Sequence, residues 1–202
     1  MSRKPDPNRK PQLLAEILDY LLDKPLASLT FRTVARALDV STYTLVYQFG
    51  TRAQLVTDIV REISSRQAFL EEQLASSPVT LDAYYGNLAT SWQWTLDPRN
   101  RQLQRLEFEA SMLEVVEPDT HNFSRTLYQT WLRVGRNALE SFGLAPDDAQ
   151  IEARIMVDAF YGLQYDLLVT KDDASATDAF ERLIQHHRER VEALADQPSL
   201  QQ

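Results

Sequence analysis

The chain has 202 residues, 44% hydrophobic and 25% charged, with no cysteine and a net charge of −8 at pH 7, which suits an ordinary globular protein of one moderate domain or a small head fused to a larger body. The missing cysteines exclude disulfides and thiolate metal sites, and leave His121, His186 and His187 as the only imidazoles. With no apolar run of about 18 residues and no apolar core in the opening MSRKPDPNRK, neither a membrane span nor a secretory signal is expected, and the reading is cytoplasmic.

Residues 1–8 contain two prolines and little that is apolar. They read as a mobile arm, either a plain tail or one that reaches a minor groove with Arg or Lys. From Arg9 to Lys24, Leu13, Leu14, Ile17, Leu18, Leu21 and Leu22 recur at spacings of three and four, predicting an amphipathic helix that ends before Pro25. Thr30 opens a second helix with Val34, Ala35 and Leu38 inward. Asp39 stands where the chain turns sharply, a position that favours positive φ and that Asp tolerates better than most residues. Ser41 caps the next helix, in which Leu45 and Phe49 form one buried stripe. Gly50 ends that helix after about two turns, and Thr51 with Gln54 matches a capping box that starts another at once.

Two helices joined by a tight turn, the second with an apolar inner face, predict a helix-turn-helix. On a wheel anchored at Leu45 and Phe49, Tyr43 and Tyr47 point outward, with Thr44 and Val46 on their flanks. Hydroxyls, an amide and a methyl surface on that face suit phosphates, base edges and thymine methyls. The candidate DNA contacts are Arg32, Ser41, Thr42, Tyr43, Thr44, Tyr47, Gln48 and Arg52. The plain alternative is that these are simply the first helices of a bundle, with the aromatics as core.

Val40, Ser41, Thr44, Leu45, Phe49, Thr51, Arg52 and Leu55 fall where a known motif has Val, Ser, Thr, Leu, Phe, Ser, Lys and Leu. In these positions the chain resembles the tetracycline-repressor (TetR) family of bacterial regulators. It departs from the motif at Asp39 for Gly, Val46 for Tyr and Gln48 for His, and Tyr47 stands one position later than the usual Tyr. The resemblance implies a homodimer that occupies a double-stranded DNA operator as a repressor, released when a small-molecule effector in the body shifts the spacing of the two heads.

The helix begun at Thr51 keeps its period through Leu55, Ile59 and Ile63 to Leu70 and Leu74, a rod of about 40 Å that stops at Ser76-Ser77-Pro78. Four further helices follow: Thr80 to Leu96, ended by Asp97-Pro98; Arg99 to Val116; about Asp119 to Phe142, ended by Gly143; and Pro146 to Thr170, started by proline and two acids. Ser175 with Asp178 opens the last helix, and a polar tail follows Pro198. The expectation is an all-α fold of about nine helices, with a helix-turn-helix domain at 1–54 and a ligand-binding and dimerisation domain at 55–202.

Residues 1–52 hold eight Lys/Arg against five Asp/Glu, while the other 150 hold 13 against 24. A positive head on a negative body suits an approach to phosphates from one end only. Tyr84, Tyr85, Trp92, Phe108, Met112, Trp131 and Tyr165 lie on body helices and form the candidate effector set, for a hydrophobic or aromatic compound. Ile151, Ile155, Ala159 and Gly162, with Phe180, Leu183, His187 and Val191, make two stripes wide enough for a two-fold dimer interface. No Gly-rich phosphate loop, HExxH, GxSxG or recognisable carboxylate pair occurs, so no catalytic residue, metal or cofactor is assigned. A helical small-molecule-binding enzyme or carrier, with an incidental head, is the rival reading, and a pure interaction bundle a third.

Overall fold

The computed structural model describes residues 8–65, 80–116 and 123–196. Among them stand nine α-helices and no strand: α1 Arg9–Leu21, α2 Phe31–Ala37, α3 Thr42–Phe49, α4 Arg52–Ser65, α5 Leu81–Leu96, α6 Pro98–Val116, α7 Phe123–Ser141, α8 Pro146–Thr170 and α9 Asp173–Ala195. The chain divides into two compact units, Met1–Ser65 with Gln102–Arg125, and Arg66–Arg101 with Thr126–Gln202. None of the helices among the described residues is long and apolar enough to cross a membrane.

In the first unit, α1 buries Leu13, Leu14, Ile17, Leu18 and Leu21, each worth roughly 1.5–3 kcal/mol relative to exposure in water. It stops at Leu21, ahead of Pro25, whose ring keeps Lys24 out of the α region. A single 3₁₀ turn, Leu26–Ser28, follows Pro25. Thr30 then caps α2: its hydroxyl accepts from the Thr33 N–H and the Thr33 hydroxyl accepts from the Thr30 N–H, both at 3.1 Å. Asp39 takes the left-handed conformation, with φ 51°, and Ser41 Oγ caps α3 by accepting from the Thr44 N–H at 3.0 Å.

Gly50 sits at φ 70°, and a Cβ there would lie 2.0 Å from Gln54 Oε1. That oxygen accepts from the Thr51 N–H at 2.8 Å, while Thr51 Oγ1 accepts from the Gln54 N–H at 3.2 Å. The Thr51–Gln54 capping box is therefore formed, and glycine is the residue that leaves room for it. The expected run of α4 through Leu70 and Leu74 to Pro78 lies outside the described residues, as do residues 1–7 of the N-terminal arm, His121 and the tail after Pro198.

In the second unit, Tyr84 and Tyr85 of α5 pack with Ala138, Leu139, Leu144, Ala149, Ala153, Met156 and Val191. A neighbouring cluster joins Trp92, Leu167, Ala176 and Phe180. All three tryptophans of the sequence, Trp92, Trp94 and Trp131, belong to this unit. Its helix starts follow local chemistry. Pro146 occupies the first turn of α8 with Asp147 and Asp148, and α9 begins two residues before Ser175 because Asp172 is the cap, accepting from the Ser175 N–H at 3.0 Å. The hydrogen bonds from Ser175 also hold the Asp172 carboxyl below its ordinary titration range.

Candidate nucleic-acid interface

Helix α3 is only eight residues long, too short to stand alone, so its neighbours must hold it. Leu45 and Phe49 are buried beneath it, and Lys10 from α1 braces the same corner, its Nζ 5.6 Å from the centre of the Phe49 ring and 2.7 Å from Asp58 Oδ2 of α4. The opposite face is open. Tyr43 is 77% exposed and Tyr47 64%; one turn apart, their rings stack at 6.4 Å with 22° between planes.

Thr42 is exposed, Gln48 is half-buried, and Thr44 is turned inward enough for its hydroxyl to bond Ser41 Oγ at 2.8 Å. Ser41 and Thr44 thus shape the start of the helix, while Thr42, Tyr43 and Tyr47 present its outer surface. Val46, absent from the sequence-derived set, is 48% exposed beside them. Arg32 and Arg36, in the first and last turns of α2, are also exposed and carry no ion pair among the described residues. Arg36 matches no motif position, and the sequence shows its charge but not its exposure.

Arg52 differs in kind from these. Its Nε donates to Leu29 O at 2.9 Å and its guanidinium reaches Leu26 O at 3.5 Å, so it ties α4 to the 3₁₀ turn. The same turn is gripped by α6. Arg105 donates to Leu21 O, in the last turn of α1, at 2.8 Å and to Lys24 O, in the turn that follows, at 3.2 Å. Arg105 also pairs with Glu109, and the Leu26 N–H donates to Glu109 Oε2 at 2.5 Å. The spacing of Arg105 and Glu109, four apart on α6, is visible in the sequence, but their grip on the turn is not.

The proposed effector residues fall in both units. Tyr84, Tyr85 and Trp92 are core: Tyr84 meets Tyr85 and Phe142 edge-on, and Trp92 stacks on Phe180 at 4.9 Å while its Nε1 donates to Thr177 Oγ1 at 3.1 Å. Trp131 is half-buried and Tyr165 exposed in the same unit, whereas Phe108 and Met112 belong to the first unit. Tyr85 joins a buried polar chain, bonding His187 Nδ1 at 2.8 Å while His187 Nε2 lies 3.2 Å from Glu152 O. A carbonyl can only accept, so Nε2 carries the proton and Nδ1 accepts from the phenol. Burial holds the His187 imidazole below its ordinary pKa and raises both Tyr84 and Tyr85.

The two proposed dimer stripes part ways. On α8, Ile151 is 55% and Ile155 45% exposed, Gly162 has nothing within 4 Å of where a Cβ would stand, and Tyr165 and Val169 extend the open face. On α9, Phe180, His187 and Val191 are buried within the protomer and Leu183 is half-buried. That stripe covers the chain's own core, with α5 and α8 as its partners.

The described helices, with a capped helix-turn-helix among them, have the fold of solved TetR-type transcriptional regulators. Salmonella enterica GusR is similar at a TM-score of 0.70 and 18% identity, over 96% of this chain and 98% of its own. A TetR transcriptional regulator from Legionella pneumophila is similar at 0.65 and 14%, over 96% and 98%. The multidrug binding protein EbrR, solved with imidazole, is similar at 0.63 and 23%, over 98% and 97%. No protein-family model matches the chain, and no curated protein matches it by sequence.

Proposed function

We propose that the protein is a ligand-responsive, DNA-binding transcriptional regulator, a repressor that binds a palindromic operator as a homodimer and is released by a small hydrophobic or aromatic effector. The observation that carries this reading is α3: two tyrosines stacked in the open on a helix whose other face is fixed by Leu45, Phe49 and Lys10. Exposing two large aromatics has no purpose within the head's own core, and a rigid recognition helix is what base reading requires.

Release by an effector is supported by α6, whose first turn belongs to the second unit and whose Arg105 and Glu109 hold the 3₁₀ turn of the head. A ligand that favours one position of α6 would alter that hold, and coupling needs no more than such a preference. A structural neighbour is described as a multidrug binding protein, which supports a small-molecule effector. Trp131 is the proposed effector residue best suited to test, because Trp92→Ala would remove a buried core ring, which typically costs about 3–5 kcal/mol.

A gel-shift titration with the promoter DNA next to its own gene tests the reading. Sequence-specific, salt-steep retardation is expected; retardation that unrelated duplex DNA abolishes equally well would refute it.

A further inference from the structure

Helices α7 and α8 cross closely because Gly135 has no side chain: a Cβ there would lie 3.3 Å from the Ala153 Cβ. Arg136 and Arg154 stand one residue beyond these two contact positions. With Gln129, Leu132, Arg133 and Gln150 they line a cleft of about 300 Å³, at the small end of ligand-binding cavities. The four α7 residues follow the three-four spacing of one helix face, and Gln150 and Arg154 are one turn apart on α8.

Three guanidiniums and two amides surround a single leucine, and no carboxylate is among the lining residues. This is unusual in a chain of net charge −8. Arg133 and Arg154 have no ion-pair partner among the described residues. Arg136 pairs at 3.5 Å from its Nε with Glu140 Oε1 and donates from Nη2 to the Asn137 amide oxygen at 3.5 Å, while its Nε is buried without a hydrogen bond. Converging like charges oppose folding, and a buried guanidinium N–H without an acceptor adds to that cost.

We propose that this cleft is a binding site for a small anion carrying two or more carboxylate or phosphate charges. Guanidinium forks match either group in bidentate fashion, the glutamine amides add orientable donors, and Leu132 offers contact to a short carbon skeleton. The site lies within the second unit, uses no residue of α3, and stands whether or not the DNA-binding reading holds.

The test is calorimetric titration of the full chain with citrate and with inorganic pyrophosphate at fixed ionic strength, with sodium chloride as reference. Saturable binding of at least one probe is expected, weakened about tenfold or more by Arg133→Gln with Arg154→Gln. Both side chains are exposed and carry no ion pair among the described residues, so helicity by circular dichroism should stay at the parent level. A head variant, Arg32→Gln with Arg36→Gln, should keep the parent's anion affinity. Heat no greater than that of chloride, undiminished binding by the cleft variant, or binding lost in the head variant would each overturn the proposal. So would binding of an oligo-aspartate peptide without either small anion, which would indicate an acidic protein partner.

Discussion

Tyr43 and Tyr47 keep their phenols in solvent while Ser41 and Thr44 spend their hydroxyls on each other, so single-residue effects on DNA should differ in kind. Tyr43→Ala and Tyr47→Ala are expected to weaken operator binding by about 1–3 kcal/mol each without loss of thermal stability. Gel shifts beside thermal melts check both halves of that statement. His187 gives a pH dependence of opposite character, in stability. Its native pKa lies below the ordinary 6.5, so on acidification the unfolded chain takes up this proton before the native one does. Stability is therefore whole above 6.5 and falls as the pH drops below it. Melting between about pH 7 and 5.5 should show a falling midpoint, and His187→Gln should flatten that slope while lowering the midpoint at pH 7 through its lost bonds to Tyr85 and Glu152. An unchanged slope would assign the pH response to other groups.

Helix positions were legible in the sequence because most starts and stops carry local chemistry, as at Thr30, Ser41, Thr51 and Pro146. What lies across from a helix face was not. The stripes of α8 and α9 look alike as sequence, yet Phe180 and Val191 are covered by the protomer while Ile151 and Ile155 are open; periodicity gives the face and not its partner. Arg52 likewise occupies a motif position, but nothing local to it announces that Leu26 and Leu29 carbonyls need its donors. The open α8 face is the element on which dimerisation should depend. Ile155→Glu is expected to leave the fold intact and give a monomer at micromolar concentration in sedimentation experiments; a variant that sediments like a dimeric parent would place the interface elsewhere. On α6, Arg105→Ala removes charged hydrogen bonds to the Leu21 and Lys24 carbonyls, at a cost of roughly 1.5–3 kcal/mol. The head should loosen and operator affinity fall, as a gel shift would record.

For the whole molecule, charge was the most readable property: a positive first 52 residues and an acidic remainder are consistent with a DNA-facing end and a steep salt response. The division into units was less so, since Gln102–Arg125 joins Met1–Ser65 from far along the chain, a long-range partnership that local pattern does not encode. That division has an optical consequence. The first unit contains Tyr20, Tyr43 and Tyr47 but no tryptophan, and every indole lies in the second, so red-edge excitation illuminates one unit and leaves the other dark. Urea denaturation followed by indole emission should report the second unit alone, while far-ultraviolet ellipticity sums all the helices. Arg105→Ala should move the ellipticity curve to lower urea and leave the emission curve in place, giving the chain a built-in two-colour readout of which unit gives way first.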